Sequence, residues 1–250
     1  MNNYVARTFD MDFVYLDILL CAVWMVILFK QKHTLALWFG LFGALVVFLV
    51  DDILWLRIQH TRFLEVPFHR DLFLFYFSFT YGMIEFSYVT VMFGARSMKI
   101  KALWTLFLYG GWLATALISQ HVGIDDRIID IGRDMSNARI IQVALVSGGY
   151  LLLLVLKYTW RPMKSLTFQR MLYLFLIGIV VHFGMEITLL VSGIRPAGNY
   201  VDVLLFNSLL EFNMGVPILY ILWTAIRSKE APDAAGPEPT KPGSLAAGQS

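Results

Sequence analysis

The sequence predicts an all-α, polytopic membrane protein: a seven-transmembrane-helix bundle. Three observations lead there. The 250 residues are 58% hydrophobic, with a mean hydropathy of +0.65. Only 15% are charged, against roughly 25% in an ordinary soluble domain, and a soluble fold could not cover that much apolar surface. Finally, seven stretches reach the roughly 20 mostly apolar residues that a membrane crossing needs: 12–29, 35–56, 72–95, 102–119, 139–157, 170–193 and 202–226.

Each span carries its own pattern. In the first, Asp17, Cys21 and Trp24 align at helical spacing. The second ends on Asp51, Asp52 and Trp55. The third places Ser78, Tyr81, Gly82, Glu85 and Tyr88 on one face. The fourth and fifth add no acid. The sixth aligns Gly178, His182, Glu186 and Gly193, and the seventh sets Asn207 and Glu211 four apart with Met214 and Gly215 continuing the stripe. Pro217 predicts a kink just below that acid.

Most connections are short, so neighbouring helices should be antiparallel. The exception runs from Gln120 to Asn137, where either a short interfacial helix or a solvated loop is expected. Residues 1–227 are read as the membrane domain and 228–250, rich in Pro, Gly, Ala and Ser, as a disordered cytoplasmic tail. No cleavable signal peptide is expected, since the first twelve residues hold Arg7, Asp10 and Asp12. A single cysteine, Cys21, excludes an internal disulfide.

Twelve Lys and Arg fall on the side of Lys30, Arg96, Lys101, Arg161, Arg227 and Lys241, and eight on the side of Arg7, Arg57, Arg133 and Arg195. The positive-inside rule then puts the N-terminus outside or in the lumen and the C-terminus in the cytoplasm. In that threading Asp17, Asp51, Asp52, Glu186 and Glu211 converge on the outer half, and Glu85 lies near the midplane. Ionisable groups at membrane depth cost at least a few kcal/mol and face the bundle interior. These acids are therefore the candidate site, lined further by Trp55, Tyr81, Tyr88, His182 and Asn207.

Plainer roles compete at each position. Asp17 reads first as an interfacial residue, and one of Asp51 and Asp52 could meet the headgroups. His182 alone suits a hydrogen-bonded bundle residue. No second histidine lies in any span, so the spacing does not support a metal site. The Gly and Ser positions suit close helix packing. Asn213 reads as structural. Glu85-Phe86-Ser87-Tyr88 in the third span echoes Glu211-Phe212-Asn213-Met214 in the seventh, and the spans before them carry Asp52 and Glu186. The pattern hints at a 3+1+3 parallel repeat.

The seventh span lacks the lysine of a retinal Schiff base. There is no Gly-rich phosphate loop, GxSxG or CxxC, and haem or zinc would lack ligands. No cofactor is expected, and a net charge of +2 does not suggest nucleic acid. The expected partners are a hydrophobic small-molecule substrate and membrane lipid, with oligomeric state left open.

A carboxylic acid in an apolar cavity keeps its proton, because burial disfavours the charged form, and can serve as a general acid. Aromatic faces stabilise cations, and Phe, Tyr and Trp are 15% of the chain. That pairing suits protonation of a polyene or its epoxide followed by cation-driven cyclisation. Glu211 has Asn207 one turn above, Met214 one turn below and no cation in its own helix, which suits such a standing acid.

In length, seven spans, an acid late in the second (Asp51 or Asp52) and Glu211 in the seventh, the chain resembles the small seven-helix membrane-bound terpene cyclases of meroterpenoid and indole-diterpene pathways. The resemblance implies that such a pair of acids protonates the substrate. The chain departs from that family in having Val50-Asp51-Asp52 where Trp-Glu is expected, and Glu where the seventh helix should offer Asp. A second reading is a small-solute or proton-coupled transporter. The layout looks like the SWEET sugar transporters, but the prolines those carry in their helices are missing: Pro67, Pro162 and Pro196 fall in loops. A third is a non-catalytic assembly partner or receptor whose acids meet arginines of another subunit. The enzyme ranks first.

Overall fold

The computed structural model describes residues 4–95, 97–135, 138–196 and 202–230. Arg96, Asn137, Lys241 and the 231–250 part of the expected tail lie outside the described residues.

Seven helices are long and apolar enough to cross a membrane: Met11–Lys30, Thr34–Ile58, Arg70–Gly94, Met98–Ser119, Arg139–Thr159, Phe168–Val191 and Leu204–Lys229. They match the expected spans to within a few residues, because a continuous apolar run of that length satisfies its backbone only as a helix. The first, α1 (Met11–Lys30), is capped by Asp10, whose carboxylate accepts from the Phe13 amide at 3.2 Å. Next, α2 (Thr34–Phe48) runs on into a π-helical stretch, Leu49–Ile58. Then come α3 (Arg70–Gly94), α4 (Met98–Ser119), α5 (Ala138–Thr159) and α6 (Phe168–Val191).

The last span is discontinuous: a π turn at Asp202–Asn207, α7 (Ser208–Leu210), a 3-10 turn at Phe212–Met214 and α8 (Val216–Glu230). The break lies just ahead of Pro217, which cannot donate to the Asn213 carbonyl and crowds it. The expected kink is thus found. The helix itself continues to Glu230, three residues past the expected domain boundary.

The structure is predominantly helical, as expected, with one small sheet in addition. The segment ahead of α1 and parts of two connections pair into an antiparallel sheet, β1 (Tyr4–Asp10), β2 (Arg62–Glu65) and β3 (Ile128–Asp134), in the order β1-β3-β2. The segment expected as a helix or loop thus holds the central strand. Its side chains alternate, with Ile129, Ile131 and Arg133 buried, and period-two burial belongs to a strand. The sheet lies across the end of the bundle where α1, α3 and α5 begin and where α4 and the π stretch of the second span end. The connection after α6 joins it through the Thr8 amide, which donates to the Ile194 carbonyl at 2.8 Å.

At the centre, α3 is buried on nearly every side: 78% of its most apolar window is covered, against 17% in α5. Its closest neighbour is α2. A Cβ at Gly82 would overlap the backbone of Gly43 and Ala44, so the small residue is what lets the two helices meet.

Candidate functional site

Beneath the sheet lies a cavity of about 410 Å³, within the usual range for small-molecule sites. Its walls come from the second span (Val46 to Gln59), α3 (Phe77, Tyr81, Glu85, Phe86), α5 (Ile141, Gln142, Leu145), α6 (His182) and the broken seventh span (Glu211 to Gly215). Its roof is the inner face of the sheet, with Arg7, Arg62 and Arg133. All these positions lie in the middle or the sheet-proximal half of their helices. The wide turns of the π stretch carry Asp51, Trp55 and Gln59, four apart, onto one wall.

Strand alternation explains the arginines. Arg7 follows Val5 and precedes Phe9 on the inward side of β1, and Arg133 follows Ile129 and Ile131 on β3. Register then sets Arg62 of β2 directly opposite Arg133. A sheet that caps a bundle thus lowers three guanidinium groups onto the acids of the helices.

The resulting pairs are specific. Asp51 meets Arg62 at 3.0 Å. Asp52 accepts from Arg57 Nε at 3.1 and 3.0 Å. Glu186, fully buried, is gripped by Arg195 at 2.7 and 2.9 Å and accepts from Asn207 at 3.1 Å. Glu211 is paired to Arg133, and Arg139 donates to Asn207. Burial pushes the Arg62 guanidinium below its ordinary value, opposed by Asp51 and reinforced by Arg133 and Arg7. Burial likewise lowers Arg195, opposed by Glu186. Both remain cations, as arginine does throughout proteins.

His182 sits among three carboxylates: Glu211 at 3.2 Å, Glu186 at 3.5 Å and Glu85 at 3.8 Å. Neither ring nitrogen forms a well-aligned hydrogen bond, and Glu85 Oε1 is also without a donor. Among the described residues, Glu85 is the one cavity carboxyl with no arginine bonded to it. Arg7 is its counterpart, bonded to no described carboxylate; it donates to the Tyr81 hydroxyl at 2.8 Å and lies 5.3 Å from that ring's centre.

Most of the expected site residues fall into two groups. Asp51, Trp55, Tyr81, Glu85, His182 and Glu211 line the cavity. Asp52, Glu186 and Asn207 are buried beside it but do not line it. Asp17 is buried against a second, smaller pocket and accepts from the Tyr76 hydroxyl at 3.1 Å. Tyr88 continues the Tyr81–Glu85 stripe but lies further from the sheet, bonded to Thr105 of α4 at 2.7 Å. Helical spacing could not exclude it, because α3 is buried on almost every face. Asn213 is structural, accepting from Tyr150 at 3.0 Å and packed against Gly178.

Glu211 has no cation in its own helix, as read from the sequence, but Arg133 reaches it from β3, so it is not the lone acid expected. The sequence reading missed Arg7, Arg62, Arg133 and Gln142 as site residues. The alternation in 5–9 and 129–133 was the available signal. Among the described residues, no group of three or more His, Cys, Asp and Glu is disposed to hold a metal ion.

Fold and site together define a helical protein with seven membrane-length helices and an ionic cavity under a small sheet. The chain matches no protein-family model, no curated protein and no solved structure.

Proposed function

We propose that the chain is a multi-pass integral membrane enzyme that cyclises a hydrophobic, lipid-like polyene or its epoxide. The observation that carries this is Glu85, a buried carboxyl free of arginine, set in a cavity walled by Phe77, Tyr81, Phe86, Phe212 and Trp55. A general acid needs a transferable proton, and a bonded guanidinium stabilises the carboxylate instead. Asp51 and Asp52, either of which the terpene-cyclase likeness implied, and Glu211 are all so bonded. The donor role therefore moves to Glu85. Its proton adds to the alkene carbon or epoxide oxygen, and the alkene π electrons close the ring. The final cation loses a proton to the Glu85 carboxylate or to His182. The net reaction is an isomerisation, and aromatic faces stabilise the cation on the way.

In this reading the N-terminus and the sheet lie outside or in the lumen, and the C-terminus in the cytoplasm, as the basic-residue count favours. Large apolar side chains left bare on the helices, such as Phe29, Trp38, Leu106 and Ile140, meet lipid. The 3+1+3 repeat gains support from Glu85 and Glu211 both meeting His182, and from Asp52 and Glu186 each being held by a following arginine. The assembly-partner reading is weakened, because Asp51, Asp52, Glu186 and Glu211 find arginines within this chain.

The test uses purified protein in nanodiscs with a prenylated aromatic epoxide and a linear polyprenyl substrate. A product of unchanged mass and fewer double bonds is expected, and Glu85→Gln should abolish it while the folded fraction stays the same. Equal turnover by the variant would remove Glu85 as donor. The transporter reading is favoured by one observation, the discontinuous seventh span beside the cavity, since broken helices form transport sites. Proteoliposomes that accumulate a labelled solute while converting no polyene would establish it in place of the enzyme.

A further inference from the structure

The roof and floor of the cavity differ in a way that cyclisation alone does not require. Toward the floor, near the helix midpoints, the walls are Val46, Val47, Phe86 and Met214 around Glu85. Toward the roof they are donors. The Arg62 side chain is 7% exposed, and its Nε has no acceptor even though its terminal nitrogen holds Asp51. The Gln142 residue is 2% exposed, and its Nε2 has no acceptor even though its carbonyl is used by Arg139. Arg7 adds a guanidinium that no carboxylate bonds. Buried donors are nearly always satisfied, so the two unspent donors, Arg62 Nε and Gln142 Nε2, call for acceptor oxygens from a ligand, and Arg7, which donates to Tyr81 and Met185, adds positive charge beside them.

We infer that the cavity binds a single-chain amphiphile with an anionic, oxygen-rich head, a carboxylate or a phosphate, held by Arg7, Arg62 and Gln142, with its chain running down to Glu85. The inference rests on the proposed reading for the identity of that chain as the reacting part, and it names the substrate class. Charge supports it. Asp51 and Glu211 offset Arg62 and Arg133, and Arg7 is left for the ligand. Arginine and planar or tetrahedral oxyanions match in geometry, since the guanidinium donates two parallel N–H bonds. The head also fixes direction. It anchors at the sheet, so the first double bonds to reach Glu85 are those furthest from the head, and ring closure starts at the tail.

Binding is measured in nanodiscs of neutral lipid, using dodecyl phosphate, dodecanoate, dodecanol, dodecyltrimethylammonium and inorganic phosphate. The two anionic amphiphiles should bind at least tenfold more tightly than dodecanol. Inorganic phosphate should not compete at millimolar concentration, because it lacks the chain. Arg7→Gln should erase the tenfold preference and leave dodecanol affinity within about twofold. If that variant does not fold, Gln142→Leu, which removes an unbonded donor, should lower the preference by itself. Equal affinity for phosphate and alcohol, best binding of the ammonium, or full competition by inorganic phosphate would each overturn the inference. Failure here is separable from failure of the enzyme reading. Tight dodecanol binding with turnover of a neutral polyene keeps the enzyme and rejects the anionic head. Tight anion binding without turnover of any polyene keeps the head and rejects the cyclase.

Discussion

Packed rings join the helices at both ends of the bundle, and guanidinium–carboxylate pairs gather at the sheet end. Far from the sheet, Trp24 lies flat on Phe107 at 5.0 Å and edge-on to Trp104 at 5.0 Å. Its indole N–H donates to Ser87 at 2.8 Å. Phe93 packs against Tyr220 and Trp223 at 5.3 and 5.9 Å. The helices passing through this region are regular. Near the sheet, the second span widens into a π-helix, the seventh breaks, and five buried polar atoms on the cavity wall lack partners. The difference teaches where function sits. Ring packing is satisfied on its own and fixes the helices relative to one another. The ionic half is left with unpaired valences, and it is there that a ligand can complete the structure.

Four experiments break or sharpen that contrast, in falling order of effect. Arg195→Gln strands Glu186, which is fully buried, and should cost about 3–5 kcal/mol. Thermal unfolding in detergent measures it, and the double replacement Glu186→Met with Arg195→Met should recover much of the loss. A mild phenotype in the single variant would mean the pair is solvated and the ionic half is not dry.

Gly82→Ala should cost about 1–3 kcal/mol by overpacking α2 against α3. This junction borders the cavity, so a shift in amphiphile affinity should accompany the lost stability. Trp24→Phe, in the aromatic half, removes one buried hydrogen bond of about 1 kcal/mol and should leave ligand affinity and turnover unchanged. An altered affinity would show that the two halves are coupled.

The smallest effect is a pH dependence in the connection above the sheet. The Arg127 guanidinium, helped by the Tyr15 hydroxyl, holds Asp125 well below the usual carboxylate range. A depressed native pKa stabilises the fold above the unfolded value and ceases to do so as pH falls through the native one. The stability difference between the parent and Asp125→Asn should therefore be present at neutral pH and vanish in acid. The exposed position of this cluster keeps the difference small. A difference that grew in acid would contradict the sign.

What the sequence determined by itself is the helical skeleton and the positions of its acids along the helices. Hydrophobic length is a local property, and a long apolar run has one way to satisfy its backbone. For the same reason Pro217 marked the break in the seventh span from its neighbours alone. Asp51, Glu85, His182 and Glu211 were legible as a group because their spacing and positions along the helices follow from helix geometry.

Only the tertiary structure decided what those acids do. Their partners are Arg62, Arg133 and Arg195, which lie on strands and a connection between 11 and 78 residues away in sequence or just past a helix end. Strand pairing, which no single segment encodes, brought Arg62 and Arg133 opposite one another over the cavity. The same pairing turned Glu211 from a lone acid into half of an ion pair and left Glu85 as the free one. Tyr88 and Asp17 both fall outside the main cavity for a related reason: the number of faces a helix buries is set by its neighbours. A charge's role depends on the charge it meets, and that meeting is made by the fold.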